Sequence, residues 1–345
     1  MLAVRKTEPS LGVQLHDVPE PVQPGPREVV VNVAAVGICG SDVHVYQWTS
    51  GYDFMRSRLP VTLGHEFAGT VVAIGEDVHA VTVGDRVAVM PSISCMDCSV
   101  CAAGRPALCP NKETLGLTRD GAFARFVKVP ALGCIKLDDS ADLVLASLIE
   151  PLCVGDNAAQ VGEVTSGSTV VVLGPGTIGQ AAVRAARWRG ATCVLAVGLN
   201  DAGRLVVAQQ MGATHTHDLA SGGSLRQALD AIRPGLMADV VIEATGHPSS
   251  IPDGLGMLKR GGIFVAAGIH AQPVSFDLTS LIRNKQQLRG AHGSHRQAWE
   301  VMARRIAEEP EAVRPMVSLE LGLDQAEEGF ARCLARDVSK VVLRP

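Results

Sequence analysis

Four cysteines, Cys95, Cys98, Cys101 and Cys109, crowd into fifteen residues, with two, two and seven residues between them. Four thiolates at such spacing can wrap one tetrahedral zinc and close its coordination shell. A closed shell leaves no position for water or substrate, so this metal orders the 95–109 loop, which also holds Gly104 and Pro106, and its binding energy is folding energy. The alternatives are a Cys-x-x-Cys redox pair or plain core thiols. A second constellation is scattered: Cys39 within Gly37-Ile-Cys-Gly-Ser-Asp42, His65 in Gly64-His-Glu66, and Glu150 before Pro151 in an apolar neighbourhood. Thiolate, neutral imidazole and carboxylate together balance Zn²⁺ and leave a fourth position open for a substrate oxygen. Taken singly, each has a plainer reading: Cys39 as core packing, His65 as a hydrogen-bonded structural residue, Glu150 as a helix-end charge.

A third cluster is built of glycine. Gly174-Pro-Gly-Thr-Ile-Gly179 follows the apolar run Val170–Leu173 and precedes a helical stripe, Ile178, Ala181, Ala182 and Ala185, at i, i+3, i+4 and i+7. In that context Gly174 permits a tight turn, Gly176 admits a pyrophosphate, and Gly179 lets helix and strand pack closely, with Thr177 and Ile178 opening the helix whose N-terminus faces the phosphates. A merely structural glycine turn is the alternative. The next apolar run, Cys193–Val197, is followed by Gly198, where NAD-binding proteins carry an acidic residue for the adenosine ribose. Asn200 and Asp201 lie just beyond. No arginine follows Gly198 directly, so NAD and NADP both stand as cofactors.

These clusters need two kinds of scaffold. Up to about residue 150 the chain reads as short β segments, such as Glu28–Val33, Ala68–Ile74 and Arg86–Val89, cut by Gly and Pro, which suits a barrel or sandwich. From about Ser168 apolar runs alternate with amphipathic stretches: 169–173, 193–197, 238–244 and 262–267, the texture of buried parallel strands with crossover helices. The segment 339–345 reads as a closing strand. With 345 residues, 47% of them apolar, the chain can bury two cores. A net charge of −4 without a basic run gives no footprint for nucleic acid, and no segment is long and apolar enough for a membrane span, so small molecules are the expected partners. Residues 1–6 lack the apolar region of a signal peptide, and together with the clustered thiols this points to a reducing cytoplasm.

Gly37-Ile-Cys-Gly-Ser-Asp-Val-His44, Gly64-His-Glu66, Gly84-Asp-Arg-Val87, the four-cysteine lobe, Glu150-Pro151 and the glycine-rich turn occur in one order. That order resembles the zinc-containing medium-chain dehydrogenases over essentially the whole chain. The resemblance implies an α/β fold of a GroES-like β-barrel catalytic domain (1–153), a Rossmann domain with a doubly wound parallel sheet (154–290), and a C-terminal segment (291–345) returning to the catalytic domain. It implies catalytic zinc on Cys39, His65 and Glu150 with Glu66 beside the metal or in its shell, and a structural zinc on the cysteine lobe. Ser41 and His44 match the family's hydroxyl and imidazole proton relay, and Arg204 matches an arginine near the adenosine end. The implied reaction passes hydride between an alcohol or ketone and NAD or NADP, in a homodimer or homotetramer. A carboxylate as third ligand is similar to the polyol and threonine branches. Val45-Tyr-Gln-Trp48 resembles the threonine branch, whereas Ser92 stands where that branch carries a histidine. A secondary alcohol on a polyol, sugar or cyclitol is therefore the first expectation and a 3-hydroxy amino acid the alternative. A non-catalytic cofactor-binding or structural protein on the same fold is a reading of another class. Tyr46 and Trp48 stand beside the catalytic segment as pocket or core residues. His215 and His217, and the isolated Cys134, Cys153, Cys193 and Cys333, read as structural.

Overall fold

The computed structural model describes every residue except 22. Its first half is organised by one long strand, Glu28–Gly37, which pairs antiparallel with Glu66–Ile74, with Phe126–Pro130 and with the C-terminal strand Lys340–Arg344. The resulting seven-stranded sheet runs Cys134–Lys136, Arg86–Val89, Glu66–Ile74, Glu28–Gly37, Lys340–Arg344, Val317–Gly322, with Phe126–Pro130 branching off the central strand. Two register shifts along Glu28–Gly37, between Val30 and Val31 and between Val33 and Ala35, mark bulges that bend the strand around its core. That core is aliphatic and aromatic: Val29, Val31, Val33, Phe67, Phe123 and Phe330 are all buried in one cluster. The C-terminal strand Lys340–Arg344 thus lies in the same sheet as the strands of the first half.

The strand Glu28–Gly37 runs past the sequence-predicted end at Val33, and its last residue matters most. Gly37 pairs with Glu66 on one side and with Val342 on the other. A Cβ on Gly37 would lie 2.4 Å from Glu66 Oε2, so a side chain there would displace the buried Glu66 carboxylate. Cys39 follows immediately as the cap of the helix Gly40–Gln47.

The second half is a six-stranded, wholly parallel sheet in the order His215–Asp218, Cys193–Gly198, Thr169–Leu173, Ala238–Glu243, Leu258–Ala266, Gln287–Gly290. Numbered along the chain this is 3-2-1-4-5-6, the doubly wound Rossmann order. The four expected apolar runs are four of these strands, and Val170, Val171, Val172, Val241 and Phe264 are fully buried. The expected stripe lies on the helix Thr177–Trp188, with Ala181, Ala182 and Ala185 buried and Ile178 half-buried. The helix Ile149–Val161 crosses the 153/154 boundary without a break and packs on Thr177–Trp188, Gly155 sitting against the Ala181 backbone. The helix Arg296–Glu308 adds Trp299, Met302 and Ile306 to the same core. His215 and His217 alternate on a strand as expected and join no metal-competent cluster among the described residues. Among those residues no helix is long and apolar enough to cross a membrane.

Candidate active site

The barrel brings Cys39, His65 and Glu66 together. One ligand atom from each lies within 4.8 Å of the others. Cys39 is placed by the cap of Gly40–Gln47, where its amide donates to Asp42 Oδ2 at 2.9 Å. His65 follows Gly64, which holds φ +90 and whose missing side chain makes room for the Phe123 ring. Its Nδ1 stands 3.6 Å from Asp42 Oδ1, and its Nε2 lies 3.2 Å from Ser41 Oγ. The Asp42 charge thus lies behind Nδ1, while Nε2 faces the Ser41 side. Glu66 is fully buried, and its Oε2 accepts a 2.6 Å bond from Lys340 Nζ, which also donates to Ile38 O at 2.9 Å.

Glu150 stands apart from the close trio but within its field. Burial first, then the charge of Glu66, pushes its carboxyl up to about 7, against the pull of His65 and Lys340. Burial and Glu66 likewise raise the Cys39 thiol, and burial raises Asp42. Four acidic groups, Cys39, Asp42, Glu66 and Glu150, thus converge with Lys340 as the lysine among them. Glu66 Oε1, His65 Nδ1 and Asp42 Oδ1 are also buried without a hydrogen-bond partner. Desolvated donors with excess negative charge fit a cation, and sulfur with imidazole and carboxylate fits zinc.

The proton-relay candidates lie on the same helix. His44 Nδ1 meets Thr49 Oγ1 at 3.2 Å, and its ring stacks on Tyr52 with centroids 5.9 Å apart. Burial lowers the His44 pKa, so its imidazole is neutral and able to accept a proton near pH 7. Tyr46 stacks on Phe330 at 4.8 Å, and the Trp48 ring lies 5.5 Å from Lys6 and from Arg56, so both pack against the barrel.

The four lobe cysteines also converge, their sulfurs within 4.8 Å of one another. The contacts Cys95–Cys109 (3.4 Å), Cys98–Cys109 (3.9 Å) and Cys95–Cys101 (4.0 Å) bracket the sulfur separation of about 3.8 Å that tetrahedral zinc with Zn–S of about 2.3 Å requires. The Cys95 amide points at Cys109 Sγ from 3.5 Å and holds that thiol below its ordinary pKa. The short strands Ser92–Ile93 and Glu113–Thr114 pair to close the base of the lobe.

At the Rossmann domain a cavity of about 340 Å³ opens over the glycine turn and is lined by Gly174, Gly176, Gly198 and Arg204 among others. Gly174 holds φ +96, and a Cβ on Gly179 would sit 1.8 Å from Gly174 O, so the strand–turn–helix passage needs both glycines. Gly176 caps the helix Thr177–Trp188. These open backbone positions fit a pyrophosphate. Thr177, Ile178 and Gly179 are not among the residues that line this cavity, and the Thr177 hydroxyl donates to Ser339 O at 2.7 Å. Asn200 is exposed at φ +54, its amide donating to Asp218 Oδ1.

Residues 25–139 match the family described as the alcohol dehydrogenase GroES-like domain, and residues 177–308 match the zinc-binding dehydrogenase family. The chain is 35% identical to the L-threonine 3-dehydrogenase of Bacillus subtilis (strain 168), covering 100% of this chain and 99% of that one. It belongs to the zinc-containing medium-chain dehydrogenases. A sorbitol dehydrogenase from Halalkalibacterium halodurans is 30% identical over 100% of this chain and 99% of its own. A solved structure, described as a zinc-binding dehydrogenase from Sinorhizobium meliloti 1021 bound to NADP, superposes with a TM-score of 0.86 at 31% identity, covering 100% of this chain and 99% of that one.

This dehydrogenase therefore uses zinc and a nicotinamide dinucleotide. Three residues at its centre escaped the sequence reading. Asp42 was within reach, as a carboxylate three residues after Cys39 in capping position. Tyr52 carries no motif; burial and the nearby Cys39 and Asp42 raise its hydroxyl pKa. Lys340 left one signal, a lysine inside the apolar run Ser339-Lys-Val-Val-Leu343.

Two substitutions check the metal assignments. Cys98→Ser is expected to lower zinc content by one ion per chain, measured by elemental analysis; unchanged content would remove the lobe as a metal site. Asp42→Asn, which leaves every ligand in place, is expected to weaken the other zinc about 10–100-fold in chelator competition. An unaltered affinity would show that the carboxylate does not orient His65.

Proposed function

We propose that this chain is a cytoplasmic, homodimeric or homotetrameric oxidoreductase that interconverts a secondary alcohol of a polyol, sugar or cyclitol with the corresponding ketone. Cys39, His65 and Glu150 would hold the zinc, with Glu66 beside it; Gly174 and Gly176 would receive the dinucleotide's pyrophosphate, and Arg204 its adenosine end. When bound, zinc supplies the Lewis acidity that stabilises an alcohol's conjugate base, and the nicotinamide supplies the hydride acceptor. The observation that carries the reading is the compact trio of half-buried Cys39 with buried His65 and Glu66, whose charge and orphaned Glu66 Oε1 call for a cation.

The protein's own groups account for the proton. Ser41 Oγ, held beside His65, is placed to contact a hydroxyl brought to the trio and to pass its proton outward. His44, one helical turn on, accepts it while neutral and faces Thr49 and Tyr52. The helix Gly40–Gln47 and its cap Cys39 thus carry the proposed ligand, hydroxyl and base in one stretch of nine residues.

A 3-hydroxy amino acid is the second reading, favoured by the 35% identity to the Bacillus subtilis threonine dehydrogenase. Ser92 argues the other way: it is exposed on the lobe's short strand and offers no imidazole.

The deciding measurement is cofactor reduction by the zinc-loaded enzyme over polyols, sugar alcohols, cyclitols and L-threonine. Turnover is expected with secondary alcohols of the first three groups; turnover with threonine alone would replace the first reading by the second. His44→Ala should slow turnover most at low pH. His44 works as a base down to its lowered pKa, whereas escape to hydroxide falls tenfold per pH unit, so the wild-type advantage widens as pH drops towards that pKa. A constant ratio of rates across pH would take His44 out of the relay.

A further inference from the structure

The adenosine end of the dinucleotide cleft carries two guanidinium groups, and one of them arrives from the other domain. The strand Cys193–Gly198 ends where a carboxylate for the ribose hydroxyls would stand. There is no room for one: a Cβ on Gly198 would lie 2.6 Å from Asp201 Cβ and 3.1 Å from Pro175 Cγ. Asp201 does not replace it, because its side chain is 1% exposed and both oxygens are engaged. Oδ1 accepts from Arg204 Nε at 2.8 Å, and Oδ2 from Arg336 Nη2 at 2.9 Å.

Arg336 has an unusual position. It caps the helix Ala326–Ala335 at φ +60, the left-handed conformation where glycine is the preferred residue. A large side chain kept there points to a use for it. From the segment that leads into the barrel strand Lys340–Arg344, it reaches across to the Rossmann domain and lines the cavity with Gly198 and Arg204. Its side chain is 58% exposed, and among the described residues its Nε and Nη1 make no hydrogen bond. His247 and Asp253 face the same cavity. Arg204 and Arg336 stand against Asp201 and Asp253 in this cavity, and Arg336 keeps spare planar donors suited to a phosphate monoester.

We propose that Arg336 and Arg204 together clamp the 2′-phosphate of NADP, so that this chain takes NADP in preference to NAD and completes the cofactor site with a residue outside the Rossmann sheet. The inference rests on the dehydrogenase reading and goes past it in naming the cofactor and a selecting residue.

The test is calorimetric titration of the full-length, zinc-loaded wild type and Arg336→Gly with NADP, NAD, adenosine 2′,5′-bisphosphate and AMP. Glycine suits φ +60, so the variant keeps its fold. NADP is expected to bind wild type at least about tenfold tighter than NAD, and Arg336→Gly to lose about tenfold or more on NADP and the bisphosphate with NAD and AMP nearly unchanged. Equal affinity for the two dinucleotides in wild type, or tighter NAD, overturns the proposal. Equal losses on all four ligands also overturn it, reducing Arg336 to a strut between domains. Binding of neither dinucleotide would sink it together with the dehydrogenase reading.

Discussion

The ion pair between Lys340 and Glu66 ties the chemistry of this enzyme to its architecture. Both side chains are buried, at 1% and 0% exposure, and Lys340 Nζ spends a second bond on Ile38 O at the turn before Cys39. Removing one partner of such a pair leaves an uncompensated buried charge, at a typical cost of ~3–5 kcal/mol. The charge is balanced only if the C-terminal strand lies against Glu28–Gly37 in the register that pairs Val342 with Gly37. The barrel's closure and the electrostatics of the site are therefore one constraint.

The same short segment also reaches the other domain. One residue before Lys340, Ser339 accepts from Thr177 through its carbonyl and from Gln180 through its hydroxyl, both at 2.7 Å, on the helix that opens the dinucleotide site. Three residues earlier Arg336 meets Asp201. Residues 336–340 thus touch Asp201 in the glycine-turn cavity, the helix Thr177–Trp188 and Glu66 of the buried cluster in sequence. A hydride transfer needs its two reactants held in fixed register, and here one length of backbone spans both halves of that geometry.

This strut explains which parts were legible in the sequence. Local patterns were: the parallel strands, the stripe on Thr177–Trp188, the glycine turn and the four-cysteine lobe all depend on neighbours within a few residues. Cys39, His65 and Glu66 were legible through their order in the chain rather than through any one residue. What the sequence hid were pairings across the fold. Lys340 and Glu66 are 274 positions apart, and nothing local marks that lysine as the counter-charge of a metal site. Thr177 likewise has a long-range partner that its motif does not announce: its hydroxyl donates to Ser339, 162 positions away. Glu150 illustrates a third case, a carboxylate placed near the trio by a helix that bridges both domains, so its distance from the metal ligands depends on how the two halves dock.

The two metal-competent sites differ in the one respect that separates scaffolding from chemistry. In the lobe the donors are all sulfur, supplied within fifteen residues, and they converge on one another. Four thiolates around a divalent ion fill its shell, so nothing is left to polarise a substrate. In the barrel the donors come from the end of one strand, the start of another and, by our reading, an interdomain helix, and they are mixed in type. Each is oriented by a neighbour: Cys39 by the cap of its helix, His65 by Asp42, Glu66 by Lys340. Lys340 holds Glu66 Oε2 and leaves Oε1 buried without a partner, so the carboxylate keeps one free oxygen beside Cys39 and His65. The buried lysine thus fixes which oxygen of Glu66 is spent on charge balance and which is left for the cluster, while Ser41 presents its hydroxyl to His65.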